Sequence, residues 1–461
     1  MRRIPLIFIL IMFWISACGQ PQSATPFGPT FTPTVTAFPT STAVPTPFPN
    51  SLYVNPSISL GAISPLIYGS NYGPWIALSV SGLDPAVNSG ITNLRFPAGA
   101  WGDNNDIKSY YIDNFMFLLQ KMNATAMINV RLKNGTPEQA AALVNYVNIQ
   151  KGYGVKYWGI GNEPTLYNSE LPDGYDVDLL NQQWRAIALA MKQADPSIQL
   201  VGPEIHQFSF DVTGTTNYDI NTAKDRNGKY WMDEFLKANG DLVDIVSIHR
   251  YPFPKSQTAG SPSIEELQVN AREWDKIIAH LRDVIHENTG KDLPIAVTEF
   301  NSAYDKSVGS ESSPDSHFNA IWLGDVLGRL IKNKVFMAHQ WMFTSKGGDG
   351  GWGLIGQSDV YPSYYTYQMY KMLGSELVYS SSDQENLSIY AAKRSDGKLT
   401  IMVINLSLQE QTKLLRIAGQ DSAKGEAWLF DPSHKAEDIG PVDLSEEMSF
   451  PAQSISLFVL P

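Results

Sequence analysis

Trp158-Gly-Ile-Gly-Asn-Glu-Pro164 is an apolar, β-rich run that stops at a carboxylate, and Ala296-Val-Thr-Glu-Phe-Asn301 does the same further downstream. A strand that ends in Glu presents its carboxylate at a sheet edge. Two such strands bring two carboxylates to one point when they belong to one closed sheet, because active groups in a parallel barrel gather at the C-terminal ends of the strands.

Working outward from these runs, eight short β-rich segments can be placed: Leu66 to Asn71, Thr92 to Pro97, Thr125 to Val130, Val155 to Glu163, Ile198 to Pro203, Asp244 to Tyr251, Pro294 to Phe300, and Val335 to Trp341. Most are separated by a helical pattern, which is the alternation a (β/α)8 barrel requires. The clearest helix runs from Ile264 to His286. Its Leu267, Trp274, Ile277, Ile278, Leu281, Val284 and Ile285 recur at near-helical spacing, and Asn288-Thr-Gly290 ends it. After about Leu373 the helices stop. Leu387 to Lys393 and Leu399 to Asn405 flank the hairpin signal Ser395-Asp-Gly397, and Glu426 to Phe430 and Ser454 to Leu460 add strands, so a β-sandwich follows.

The expected fold class is therefore α/β, a (β/α)8 TIM barrel over 64–372 with a C-terminal β-sandwich over 373–461. Ser51 to Ile63 also alternates and is expected to supply a strand to the sandwich. Before it, Met1-Arg-Arg3, the apolar run Ile4 to Ile15 and Ser16-Ala17-Cys18 have the regions of a secretory signal over 1–18. Ile15-Ser-Ala-Cys18 resembles a bacterial lipobox, and Cys18 is the only cysteine, so lipidation at Cys18 is the expected use of its thiol. That would anchor the protein to the outside of the bacterial cell membrane. Residues 19–50 carry no charge and are rich in Pro and Thr, the composition of an extended tether.

The net charge of −12 argues against nucleic acid as a partner, since that demands clustered Lys and Arg. No Gly-rich phosphate motif and no zinc ligand set is present, so no cofactor and no metal is expected.

Asn-Glu-Pro after an apolar strand, with a second strand ending in Thr-Glu, resembles the clan A glycoside hydrolases. Arg95-Phe-Pro-Ala-Gly99 and the strand that leads into the sandwich are most similar to families 39, 51 and 44, although Ala98 stands where the commoner form has glycine. The resemblance implies a retaining glycosidase acting on carbohydrate, with Glu163 as acid/base and Glu299 as nucleophile. It further implies that Asn162 bonds the sugar's 2-hydroxyl, that Arg95 pairs with the nucleophile, that Tyr251 contacts it, and that Trp341 floors the sugar subsite. His249 shares a strand face with Tyr251 and is expected to line the cleft. Trp75, Trp101 and Trp352 follow strands one, two and eight, where they stack on further sugar rings or cover the barrel mouth.

Two features stand outside that pattern. Glu204 in Gly202-Pro-Glu204 adds a third carboxylate after strand five, with His206 two residues on, and either binds substrate or competes for the acid role. Trp101-Gly-Asp-Asn-Asn-Asp106 looks like a calcium loop but lacks a distant bidentate Glu, and reads as a polar substrate loop or an opportunistic calcium site. A transglycosylase on the same residues and a non-catalytic glycan-binding surface protein remain as alternative functions.

Overall fold

The computed structural model describes residues 49–169, 171, 174–209, 223–253, 261–303, 308–345, 352–357, 359–420 and 423–461. The signal segment, Cys18 and the tether up to residue 48 lie outside the described residues. Among those described, no helix is long and apolar enough to cross a membrane.

Eight parallel strands close a barrel: β2 (Gly69–Asn71), β3 (Asn93–Phe96), β4 (Thr125–Val130), β5 (Tyr157–Ile160), β6 (Gln199–Ile205), β7 (Ile245–Arg250), β8 (Ile295–Phe300) and β9 (Met337–Gln340). All eight expected runs supply one strand each. The first is shorter than expected, because Pro65–Ile67 forms a 3-10 turn capped by Ser64. Closure depends on Gly69, which pairs with both Asn93 and His339. A Cβ on Gly69 would lie 2.3 Å from the Ala338 carbonyl, so only glycine lets β2 reach β9.

Strand alternation sorts the barrel walls. Met127, Tyr157, Val201, Ile245, Ala296 and Met337 fill the interior near its base, while Ile128, Trp158, Leu200, Val246, Val297 and Ala338 face the helices. The helix at Ile264–Thr289 shows how those helices are held. Ser263 and Glu266 form a capping box, Gly290 ends it at φ 66°, and Leu267, Trp274, Ile278, Leu281 and Ile285 bury one stripe.

β1 (Ser51–Ala62) leads into the barrel but belongs to the second layer. It pairs antiparallel with β10 (Glu376–Ser381) and parallel with β13 (Gln411–Ile417). With β11 (Leu387–Lys393), β12 (Leu399–Asn405), β14 (Lys424–Phe430), β15 (Glu437–Asp443), β16 (Glu447–Phe450) and β17 (Ser454–Leu460) these make one nine-stranded sheet, ordered β15-β14-β17-β12-β11-β10-β1-β13-β16. Ala427 near one end of that order and Phe450 at the other bury in the same core as Leu52, Val54, Ile401 and Phe458. The sheet therefore curls over itself, which is how one continuous sheet makes a sandwich-like core. The helix at His317–Lys332 lies between barrel and sheet. It is apolar on almost every side because it is covered on almost every side: Tyr390 of β11 donates to Asp325 at 2.6 Å, and Tyr370 donates to the Gly324 carbonyl at 2.6 Å.

Candidate active site

The C-terminal ends of β3, β5, β6, β7 and β8 bring Arg95, Glu163, Glu204, His249 and Glu299 together. Arg95 reaches the interior by simple alternation, since its neighbours Leu94 and Phe96 pack outward among the helices. Glu299 does not. By parity it would follow Val297 outward, but the pairing register of β8 slips between Ile248 and His249 on one side and between Val297 and Phe300 on the other. That irregularity turns Glu299 inward opposite His249, the usual work of a β-bulge. Glu204 enters by the same device. The β6 register slips between Pro203 and Ile205, and Glu204 takes φ 58°.

Glu163 is not the last residue of its strand, as the sequence suggested. β5 ends at Ile160, and Glu163 sits three residues beyond, at φ 48°, a left-handed conformation that is strained for a residue with a side chain.

Arg95 is fully buried and uses all five of its N–H groups. Nε donates to Glu204 Oε1 at 3.2 Å; Nη2 donates to Glu204 Oε2 at 2.5 Å and to Asn162 Oδ1 at 2.8 Å. Nη1 donates to Asn71 Oδ1 at 2.9 Å and to Glu299 Oε2 at 3.2 Å. The bidentate Glu204 pairing offsets much of the cost of burying the guanidinium.

The second Glu299 oxygen accepts from Tyr251 Oη at 2.7 Å. Glu163 Oε1 meets two imidazoles, His206 Nδ1 at 2.7 Å and His249 Nδ1 at 3.1 Å. His249 Nδ1 is also 3.9 Å from Glu299, and its Nε2 is 3.7 Å from Glu204, an ion-pair distance too long for a hydrogen bond. One donor atom each from Glu163, His249 and Glu299 lies within 4.8 Å of the others. Such a set has the ligand types for a cation, but the Arg95 guanidinium already holds Glu299 and would repel one.

Charge is unevenly shared. Burial pulls the His249 imidazole down, but the Glu299, Glu163 and Glu204 carboxylates outweigh it and push the group up to about 9. Burial raises the Glu163 carboxyl, yet the His206 and His249 imidazoles dominate and hold it well below the usual range. At Glu299, burial and the nearby Glu163 charge outweigh His249, Arg95 and Tyr251, and the carboxyl is raised. Two carboxylates this close do not ionise independently. Burial and neighbouring charge thus shift the two carboxyls in opposite directions, Glu163 down and Glu299 up.

The bonding pattern points the other way. Both Glu299 oxygens face donors, one of them a guanidinium that cannot accept a proton, whereas Glu163 faces imidazole nitrogens that can give or take one.

Two sequence expectations, the reach of Glu204 and the calcium-like loop, need correcting. Glu204 is fully buried, and its oxygens are taken by Arg95 and by Asn129 Nδ2 at 2.9 Å, so it reaches neither substrate nor the acid position. Trp101–Asn104 is a helical turn rather than a calcium loop, and Asp103 within it is buried with both oxygens accepting protein donors. Asp106, the loop's other end, is exposed beside Arg131 at 3.4 Å. Trp341 stacks on Trp75 with ring centroids 5.8 Å apart, and Gly99 at φ 58° leaves room beneath it, where a Cβ would come within 2.8 Å of the indole. Trp352 donates to the Ala303 carbonyl at 3.2 Å, and Trp101 packs edge-on against Tyr111.

Asn71 and Asn129 were missed. Asn71 ends the first expected strand, which was signal enough, and besides bonding Arg95 its Nδ2 donates to the His339 carbonyl at 3.0 Å. Asn129 lies one residue before the end of β4, and only the inward parity set by Met127 marks it.

Residues 104–253 match the family model described as glycoside hydrolase family 44. The fold is shared with several solved structures. An α-L-arabinofuranosidase from Thermotoga maritima aligns at 19% identity and TM-score 0.68, covering 89% of this chain and 99% of that one. A family 44 endoglucanase from Clostridium thermocellum aligns at 18% and 0.67 with the same coverages, and a family 44 xyloglucanase from Paenibacillus polymyxa at 15% and 0.66, again with the same coverages. The family 44 match, together with this shared fold, bears out the resemblance to clan A glycoside hydrolases. The chain carries a glycoside hydrolase domain and is an enzyme of that class.

Proposed function

We propose that the chain is a retaining glycosidase in which Glu299 attacks the anomeric carbon and Glu163 first donates a proton to the leaving oxygen and then accepts one from water. The observation that carries this reading is that one oxygen of each carboxylate lies within 4.8 Å of an oxygen of the other. Retaining enzymes place theirs about 5 to 5.5 Å apart, whereas inversion needs about 6.5 to 9.5 Å to admit a water. Arg95 and Tyr251 disperse charge on the Glu299 carboxylate, and Asn162, oriented by Arg95, is placed to meet the sugar hydroxyl beside the reacting carbon. Trp341 and Trp75 give the ring an aromatic floor.

The substrate class is plant or microbial polysaccharide or its oligosaccharides, consistent with relatives described as an endoglucanase, a xyloglucanase and arabinofuranosidases. A lipidated Cys18 and an uncharged tether would hold this activity at the outer face of the cell membrane, where polymer is met.

Hydrolysis of polysaccharides and phenyl glycosides by the purified protein, Glu163→Gln and Glu299→Gln tests the reading. The proposal expects both variants to lose about 10²-fold or more on these substrates, whose leaving groups need the acid. Wild-type activity in either variant would remove that carboxylate from the mechanism.

A further inference from the structure

Asp103 belongs to the segment that resembled a calcium loop, and the site described above leaves it without a task. It is buried at 2% exposure, on the turn after β3. Its Oδ1 accepts the backbone N–H of Leu132 at 2.8 Å and of Lys133 at 3.2 Å, both just past β4. Its Oδ2 accepts the N–H of Asn162 at 2.8 Å, just past β5, and the hydroxyl of Tyr167. One carboxylate thus ties three successive loops together at the rim of the barrel.

What it holds is the residue before Glu163. Gly161 at φ 82° donates to the Val130 carbonyl at 2.8 Å, and Glu163 at φ 48° follows. A left-handed residue with a side chain is strained and persists only where its surroundings over-determine it. The Asn162 amide is the handle between these two positions, and it also donates to Tyr167 Oη at 3.3 Å, beside the Asp103 oxygen that the same hydroxyl bonds. Tyr167 is buried and packs edge-on against Tyr175, so its hydroxyl has a fixed direction.

We infer that Asp103, with Tyr167, is a positioning residue for the acid/base carboxylate: it fixes the Asn162 amide and so the left-handed backbone that aims Glu163 at the leaving-group oxygen. This rests on the reading of Glu163 as the acid. Asp103 touches neither substrate nor reacting atoms. Its effect is confined to how well Glu163 meets the departing oxygen, and that gives it a signature. A leaving group that departs without protonation does not need the acid, whereas a poor one does.

The experiment compares kcat/KM of the purified protein on two aryl glycosides of the sugar it accepts, one with a dinitrophenyl and one with a phenyl leaving group. Asp103→Asn, Tyr167→Phe and Glu163→Gln are measured side by side. Asparagine keeps the size of Asp103 but turns an N–H toward one of its donors, while phenylalanine keeps the ring and removes one hydroxyl. Asp103→Asn is expected to lose about 10- to 100-fold on the phenyl glycoside and less than about threefold on the dinitrophenyl one, a partial form of the 10²–10⁴-fold acid contribution. Tyr167→Phe should show the same selectivity at smaller size. Equal losses on both substrates, or no loss on either, beside a selective loss in Glu163→Gln would overturn this inference and leave Glu163 as the acid. Absence of selectivity in Glu163→Gln as well would overturn both.

Discussion

Tyr251 donates its phenolic proton to Oε1 of Glu299 at 2.7 Å, while Arg95 donates to Oε2 of the same carboxylate at 3.2 Å. Each oxygen of the proposed nucleophile therefore has one donor, and the two donors come from different strands. A hydrogen bond to a charged group contributes about 1.5–3 kcal/mol, so Tyr251→Phe is expected to lower kcat/KM by about 10- to 100-fold. Tyr251 helps to lower the Glu299 pKa against burial. Its removal raises that pKa further, and the acidic limb of the kcat/KM profile moves to higher pH. A pH–rate series on wild type and variant reads both effects.

Arg95→Met leaves the Glu204 carboxylate buried without its cation. Removing one partner of a buried ion pair costs about 3–5 kcal/mol, and urea denaturation should show a loss of that order. Arg95→Met combined with Glu204→Gln should recover part of it, since the stranded charge is then gone. Equal stability of the single and double variants would mean that Glu204 is not the partner that matters.

His249 makes stability depend on pH in a direction that can be worked out. Its folded pKa is pushed up to about 9 from an unfolded value of 6.5. The folded state therefore binds the proton more tightly, and the contribution is fully present below pH 6.5 and lost as pH rises through about 9. His249→Asn should flatten the fall in denaturation midpoint between those values relative to wild type.

Leu52 and Val54 on β1 are fully buried in the sheet core although they precede the barrel by more than ten residues. Leu52→Ala should cost about 2–5 kcal/mol, measurable by thermal or urea unfolding, with kcat/KM unchanged at a temperature where both proteins are folded.

The barrel was legible because its signals are local. Each strand is a short apolar run, and the Ile264–Thr289 helix is a stripe at helical spacing that carries its own caps. Strands β10, β13, β15 and β16 were not found. β15 is largely solvent-exposed and β13 buries only Leu415 and Ile417 around the exposed Arg416, so they lack the apolar runs that marked β11, β12 and β17. In the site, Arg95 and His249 follow from alternation, and Tyr251 from its place two residues after His249. Glu299 lies in the cluster for a reason its own segment does not carry: it faces inward because the register slips, and a slip is a property of neighbouring strands rather than of one segment. Glu204 was placed near the cleft by the same local logic, but nothing in its own strand shows that Arg95 covers it. Asp103 needed three loops to be assembled before its four donors could be counted.

The most direct test of the central claim is azide rescue, read by the configuration of the product. Glu299→Gly should regain activity with azide and release a glycosyl azide of inverted anomeric configuration, because azide then occupies the nucleophile's place. Glu163→Gly, given an activated aryl glycoside, should yield a glycosyl azide of retained configuration, because azide attacks the sugar held on Glu299. The opposite assignment of the two products would exchange the roles of the carboxylates, and inversion in the wild-type reaction itself would contradict the double displacement altogether.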